Sequence, residues 1–192
     1  PFDYNPWCLL VHKQTKIVIT AKGPSNIYVQ KTLNDKTEPE FPNKLFRPED
    51  TDTWARGTGG VLQNCIKRDV RTCFDLDIAP YSNMVLGEVI NLPGKWSSYP
   101  PHQHVEPELY YYKFLPENGY GLAEYGDDAF KVKNNDLTGM PENVTHSQCA
   151  APGYAEYYLW CIRLQDDKNI VTTVVPEYEW VTAADAKYFP EI

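Results

Sequence analysis

The chain has 192 residues, of which 42% are hydrophobic and 14% aromatic, and its formal net charge is -8. This size and composition predict one packed globular domain, or one domain with a short appendage, and exclude a disordered or fibrous chain. The acidic charge, without a basic cluster, excludes nucleic acid as a partner. Because the sequence shows neither an apolar run of about eighteen residues nor a signal-like start, we expect no membrane contact.

The cysteines predict a cytoplasmic protein. They are odd in number and include no Cys-x-x-Cys pair, which is not the pattern of a disulfide framework. Reduced thiols are typical of a reducing compartment, so a cytoplasmic location is expected. The five positions are Cys8, Cys65, Cys73, Cys149 and Cys161.

The order of elements along the chain indicates an all-β protein. Short runs of β-branched and aromatic residues alternate with Gly, Pro, Asn and Asp, which predicts strands separated by turns. Sixteen prolines fit strand ends and turns, since an inner strand needs its amide hydrogens. A sandwich or barrel with a tyrosine-rich core follows, and only residues 183–188 suggest a helix. The predicted strands are residues 16–20, 27–30, 84–90, 109–114, 156–163 and 169–175.

A polar, proline-bearing connector at residues 37–44 predicts a boundary near residue 45. Residues 1–45 contain two or three predicted strands at most, too few to close a barrel. We therefore predict an amino-terminal β appendage over residues 1–45, packed on the main sheet or on a neighbouring subunit. The main domain then covers residues 46–192.

Three of the four histidines fall in two short segments, residues 102–108 and 141–146, and these segments predict a metal site. In a strand, residues i and i+2 share a face, so His102 and His104 can present both rings to one interior point, and Glu108 keeps that parity. With His146 from the second segment, three imidazoles and one carboxylate suit one divalent transition metal: Mn, Fe, Zn, Ni or Co. The alternative for an isolated His-x-His pair is that the two rings lie on a solvated strand edge or pair with carboxylates, without metal.

Two further residues belong to these segments. Glu106 shares the parity of Glu108 and is the rival carboxylate ligand. Glu108 is preferred because it begins a tyrosine-rich strand, whereas Glu106 precedes Pro107 in a turn. Asn143, between Pro141 and His146, resembles a position of the second cupin motif that is usually Gly, so a left-handed backbone is expected there, which Asn tolerates better than most residues.

These segments carry a family resemblance. The His-x-His-x-x-x-Glu run at 102–108, the turn at 134–139 and Pro-x-Asn-x-x-His at 141–146 resemble the two cupin motifs. Over roughly 84–164, and most specifically in Trp-Ser-Ser-Tyr-Pro-Pro-His at 96–102, the chain resembles the 5-deoxy-glucuronate isomerase family of inositol catabolism. The related 4-deoxy-5-hexosulose-uronate isomerases of pectin breakdown resemble it less closely.

The resemblance implies a fold and a reaction. The fold would be a cupin-type double-stranded β-helix, that is, a jelly-roll barrel, holding the metal on His102, His104, Glu108 and His146. The reaction would be aldose-ketose isomerisation of a small sugar acid, 5-deoxy-glucuronate to 2-deoxy-5-keto-gluconate. The family is bicupin, so residues 1–45 would be the remnant of a first cupin in a truncated bicupin. Cupins often pair through their sheets, which makes a homodimer the expected state.

The isomerase interpretation needs groups that move a proton. Strand parity sends Tyr110 and Tyr112 to the metal side, and they are candidate proton carriers or substrate clamps, or simply core aromatics. Glu88 is a candidate base, or a surface carboxylate. A substrate carboxylate usually needs a cation, and the sequence does not choose among four arginines. They are Arg56, Arg68, Arg71 and Arg163.

Two other functions fit the same residues. A metal cupin with these ligands can be an oxygen-using dioxygenase or decarboxylase, which would require iron or manganese together with oxygen. A non-catalytic sugar-binding cupin would bind its ligand without turnover. The intact histidine segments favour an enzyme, because inward polar groups that bind nothing are costly to bury.

Overall fold

The computed structural model describes residues 1–34, 41–165 and 169–190, and β-strands make up most of their regular structure. Three short 3₁₀ helices in these ranges are Pro48–Asp50, Val61–Asn64 and Pro176–Thr182. In the same ranges, no helix has the length and apolar character needed to cross a bilayer. The strands are β1 (Cys8–Leu10), β2 (Lys44–Phe46), β3 (Asp52–Arg56), β4 (Arg68–Phe74), β5 (Met84–Asn91), β6 (Trp96–Gln103), β7 (Glu108–Leu115), β8 (Tyr120–Tyr125), β9 (Asp128–Lys133), β10 (Leu137–Met140), β11 (His146–Ala150), β12 (Ala155–Arg163) and β13 (Thr173–Val174).

Two antiparallel sheets contain most of these strands and confirm the all-β prediction. The larger sheet has the strand order β10-β7-β12-β5-β4-β3, and the smaller has the order β13-β6-β11-β8-β9. In the part of the chain that the structure describes, β1 and β2 pair with each other and with no other strand. Because residues of both larger sheets meet in one buried cluster, the sheets lie face to face around a shared interior.

The interior between the sheets is rich in tyrosine, as the composition predicted. Along β7 every second side chain is buried, so Tyr110, Tyr112 and Phe114 point inward with Tyr158 of β12. Each buried ring stabilises the fold by roughly 1.5–3 kcal/mol through the removal of apolar surface from water. The hydroxyl groups have partners: Tyr112 donates to Gln148 Oε1 over 2.9 Å, and Tyr158 donates to Ser97 Oγ over 2.7 Å.

The outer face of the larger sheet is covered by the amino-terminal residues. Phe2 and Tyr28 pack against the buried cluster that contains Tyr157. Arg71 of β4 fixes the first residues, because its Nη1 donates to the backbone oxygens of Pro1 and Tyr4 over 3.0 Å each. This packing on the main sheet is one of the two expected placements of the segment. The boundary expected near residue 45 falls within β2.

Three predicted strands are wrong in whole or in part. Residues 16–20 and 27–30 form no strand, and of residues 169–175 only β13 does. The reason for the first two is exposure: Val18 and Val29 are 76% and 64% exposed. A β-branched side chain favours a strand only where neighbouring strands bury one of its faces. Residues 37–40 of the predicted connector at 37–44 lie outside the described residues.

The predicted helix at residues 183–188 is also wrong. The helical segment is the 3₁₀ helix just before it, which begins at Pro176, where the fixed φ of proline suits a first helical residue. Ala183 has an extended backbone (φ -63°, ψ 145°) and ends that helix. Four of the six residues are exposed and none is buried, and so short a segment without a buried face cannot offset the cost of helix nucleation.

A buried polar network lies at one end of the interior. The Glu156 side chain is fully buried, and its Oε2 accepts a hydrogen bond from Asn91 Nδ2 over 2.7 Å. The same amide donates to Ser97 Oγ over 2.8 Å. The carboxyl group fits only because Gly121 has no side chain, since a Cβ there would collide with Glu156 Oε1. Burial raises the pKa of Glu156 to about 8, although the hydrogen bond from Asn91 opposes that shift.

Candidate metal centre

Three strand ends bring the four predicted ligands together. His102 lies near the end of β6, Glu108 begins β7 and His146 begins β11. β6 and β11 are neighbours, and His102 stands opposite His146 in their register. His104 lies between β6 and β7. The topology therefore joins residues that are more than forty positions apart in sequence.

Three of these side chains, those of His104, Glu108 and His146, are close enough to share one ion, and the ring of His102 packs against that of His146. The ring centroid of His146 lies 4.6 Å from that of His102 and 5.1 Å from that of His104, and the latter two are 6.4 Å apart. Glu108 Oε2 lies 3.2 Å from Nε2 of His104 and 3.5 Å from Nε2 of His146. In His104, Glu108 and His146, one possible ligand atom per residue lies within 4.8 Å of the others. Their role as ligands stays a prediction.

Backbone carbonyls orient two of the rings. His102 Nδ1 lies 3.2 Å from the Pro100 oxygen, and His146 Nδ1 lies 2.9 Å from the Val144 oxygen. A ring that donates through Nδ1 keeps the lone pair on Nε2. Nε2 of His146 is buried and has no hydrogen-bond partner among the described residues. This orphaned nitrogen beside a carboxylate fits a transition metal, because such a metal takes both donor types.

The protonation tendencies of the rings differ. Burial lowers the pKa of His102 and His146, and the nearby Glu108 carboxylate offsets only part of that effect. Burial also opposes charge on His104, but interactions with Glu108 and Glu106 outweigh it, so the pKa of His104 is raised. Two of the three imidazoles therefore favour the neutral form that binds metal.

Asn143 has the left-handed backbone that the sequence predicted, with φ of 58°. Its N–H donates to the carbonyl oxygen of His104 over 2.8 Å. This bond ties the turn before β11 to the segment that carries His104. The residue thus connects the two histidine segments through the backbone alone.

Substitution of Asn143 tests that backbone requirement. Asn143→Val should destabilise the protein by about 1–2 kcal/mol, because a β-branched side chain opposes a positive φ. Asn143→Gly should stay within about 0.5 kcal/mol of the wild type, since glycine adopts this conformation freely. Urea unfolding of both variants measures the difference. Equal stability of the Val and Gly variants would contradict this explanation.

The candidate proton carriers lie at different places in the interior. Tyr110 is buried beside the cluster, with its ring 6.0 Å from that of His146. Tyr112 lies deeper, where its hydroxyl contacts Gln148 Oε1 and Thr138 Oγ1. Burial raises the pKa of both phenols well above 10, so each keeps its proton near neutral pH.

Glu88 is not brought to the cluster. It lies on the outer face of the larger sheet, where Tyr157 donates to its Oε1 over 2.6 Å and Arg71 Nη1 lies 3.4 Å from its Oε2. Its neighbour Val89 faces the interior instead. Glu88 is therefore a buried ion-pair partner under the amino-terminal segment, and Arg71 is engaged with it.

Glu106 is buried beside His104, which the sequence did not reveal. Its side chain is 1% exposed, although it lies in the turn between β6 and β7. Glu106 Oε2 lies 3.6 Å from Nδ1 of His104. The available signal was the shared parity of Glu106 and Glu108, which indicated only that one of the two carboxylates faces inward.

Solved structures support the cupin fold. An IolB-like protein from Salmonella typhimurium LT2 superposes with a TM-score of 0.67 at 24% identity, covering 76% of this chain and 58% of that one. A cupin 2 conserved barrel domain protein from Rhodopseudomonas palustris superposes with a TM-score of 0.50 at 12% identity, covering 67% of this chain and 79% of that one. The predicted jelly-roll cupin fold is confirmed.

Curated relatives agree with the sequence resemblance. A protein named 5-deoxy-glucuronate isomerase from Geobacillus thermodenitrificans is 29% identical over 164 residues, 73% of this chain and 54% of the relative. One of the same name from Geobacillus kaustophilus is 32% identical over 134 residues, 62% of this chain and 46% of the relative. The chain thus spans about half the length of the curated relatives it matches. The family model described as KduI/IolB family matches residues 1–181, and the chain belongs to that family.

Proposed function

We propose that this chain is a metal-dependent sugar-acid isomerase that converts 5-deoxy-glucuronate, or a similar uronate, into the corresponding keto acid. The observation that carries the proposal is the convergence of three imidazoles and Glu108, with the orphaned Nε2 of His146 facing that carboxylate. The relatives named 5-deoxy-glucuronate isomerase supply the reaction and the substrate class. Because the chain spans about half of their length, their activity comes to it only as part of this proposal.

The reaction moves one proton between adjacent carbons, and negative charge develops on the two substrate oxygens. A divalent metal held by His102, His104, Glu108 and His146 would supply Lewis-acid stabilisation of that charge. The carbonyls of Pro100 and Val144 keep two rings oriented with Nε2 toward the cluster. The surrounding buried aromatic side chains exclude water, which strengthens electrostatic stabilisation inside the site.

Tyr110 has a defined task in this proposal. Its raised pKa keeps the proton on Oη, so the phenol acts as a hydrogen-bond donor rather than as a base. The acceptor we propose for it is the Glu108 carboxylate, whose negative charge, after burial, contributes to that raised pKa. A fixed donor there holds one carboxylate oxygen in place and leaves the other for the metal.

Replacement of Tyr112 separates a proton carrier from a core aromatic. We expect Tyr112→Phe to keep catalytic efficiency within about threefold and to lose roughly 1–3 kcal/mol of stability, because Gln148 Oε1 loses the donor it now has. Steady-state kinetics and urea unfolding measure the two effects. A fall of more than about a hundredfold in kcat with unchanged stability would instead make Tyr112 a proton carrier.

The function is tested with purified protein and 5-deoxy-glucuronate, with the product followed by proton NMR. The protein is stripped with a chelator and resupplied with Mn, Fe, Zn, Ni or Co in turn, with and without oxygen. We expect activity to disappear on stripping, to return with at least one metal and to be independent of oxygen. Turnover that needs oxygen would identify a dioxygenase or decarboxylase, and binding without turnover would identify a sugar-binding cupin.

The remaining predictions form part of the same proposal. We propose that residues 1–45 are an amino-terminal β appendage or the remnant of a first cupin, and that residues 46–192 form the metal-binding domain. A small sugar acid as substrate, a cytoplasmic location and a homodimer are proposed with them. Light scattering of the purified protein measures its mass and tests the dimer directly.

A further inference from the structure

Two buried polar groups beside the cluster lack partners and face each other. Both carboxylate oxygens of Glu106 and Nδ1 of His104 are buried without a hydrogen bond to any described residue. Glu106 Oε2 and Nδ1 of His104 are 3.6 Å apart. Burying a carboxylate or an imidazole nitrogen without a partner is costly, so each group has a physical reason to engage the other. A movement of less than about 1 Å brings them to hydrogen-bonding distance.

The two carboxylates of this segment lie on opposite sides of the His104 ring. Glu108 Oε2 faces Nε2 of His104 and also Nε2 of His146. Glu106 faces Nδ1 instead. A metal bound between His104 and His146 would therefore contact Glu108, while the ring of His104 stands between that position and Glu106. This geometry gives the two residues different tasks, although their parity in the sequence is the same.

We infer that Glu106 is a positioning residue, which accepts a hydrogen bond from Nδ1–H of His104 and so leaves Nε2 of that ring unprotonated for the metal. The inference rests on the proposed metal site. A carboxylate in this place raises the basicity of the ligating nitrogen and strengthens metal binding.

The test compares three variants by their affinity for zinc, measured against a chromophoric chelator. Glu106→Leu, which removes the acceptor at similar volume, should raise the zinc Kd by roughly 10- to 100-fold. Glu106→Gln keeps a neutral acceptor and should recover part of that loss. The matched control is Glu142→Leu, since Glu142 is exposed in the turn before β11 and its carboxylate contacts Gln165. The control should bind zinc within about twofold of the wild type.

A second readout is the tautomer of His104, observed by nitrogen-proton NMR of zinc-loaded wild-type protein. The proton is expected on Nδ1, and Glu106→Leu should shift that signal. A proton on Nε2 in the wild type would overturn the inference, and so would an unchanged zinc Kd in Glu106→Leu. If Glu106→Leu does not fold, Glu106→Gln and the wild-type tautomer decide.

These readouts do not depend on catalysis. A wild type that binds zinc through an Nδ1–H tautomer of His104 but leaves 5-deoxy-glucuronate unchanged would defeat the proposed function and support this inference. An active isomerase in which neither the zinc Kd nor the tautomer of His104 depends on Glu106 would support the proposed function and contradict this inference.

Discussion

His146→Ala should abolish stoichiometric metal binding and, with it, the isomerase activity. Nε2 of this ring is buried, without a hydrogen-bond partner among the described residues, and 3.5 Å from Glu108 Oε2, so its loss removes a donor from the centre of the cluster. The effect should exceed the roughly 10- to 100-fold loss of metal affinity that is expected when a residue that only supports a metal ligand is removed. Metal analysis after gel filtration and the isomerisation assay measure both losses.

The chain offers a matched control in its fourth histidine. His12 lies in the amino-terminal segment and packs against Phe41, which in turn packs on the buried cluster that contains Cys8, Leu10 and Phe46. His12→Ala should retain the metal, and His102→Ala should behave like His146→Ala. Circular dichroism must show that each variant is folded. A folded His146→Ala protein that binds metal with wild-type affinity would contradict the proposed site.

The inward-facing residues of β7 were predictable from the sequence alone. Glu108, Tyr110, Tyr112 and Phe114 share one parity, and the structure buries all four. That prediction succeeded because Glu108, the predicted ligand at the first position of β7, identified the face of the strand that points to the interior. The same strand was easy to locate, since its aromatic residues have high β propensity and are bounded by proline.

Glu88 shows where strand parity is insufficient. Every residue of β5 from Gly87 to Asn91 is buried, because the barrel covers one face of the strand and the amino-terminal segment covers the other. When both faces are buried, alternation of apolar and polar residues no longer identifies the interior face. Which face of β5 points to the interior depends on where the amino-terminal segment packs, and that packing is a property of the tertiary structure.

Glu156 gives the second large effect: the free energy of unfolding should fall as the pH rises from about 4.5 to about 8. Burial raises the pKa of this carboxyl group to about 8 in the folded state, whereas the unfolded chain has the ordinary value of 4.5. The folded protein therefore binds the proton more tightly, and its stabilising effect is complete below the unfolded pKa. This stabilisation by the bound proton is lost as the pH approaches the folded pKa. The loss is on the order of 4 kcal/mol, because each pH unit between the two pKa values costs about 1.4 kcal/mol.

Glu156→Gln should remove this part of the pH dependence. A glutamine amide has one acceptor and one donor edge, as a protonated carboxyl group has, so it can still accept from Asn91 Nδ2. The variant should match the wild type near pH 4.5 and exceed its stability by several kcal/mol at pH 8. Urea unfolding across this range, at equal metal loading, measures the difference.

Glu117→Gln, at an exposed carboxylate, should leave the wild-type curve unchanged. Burial also raises the pKa of Glu88, but that carboxylate is present in both proteins, so the difference between their curves isolates Glu156. Parallel curves for wild type and Glu156→Gln would mean that the carboxylate is already charged in the folded interior.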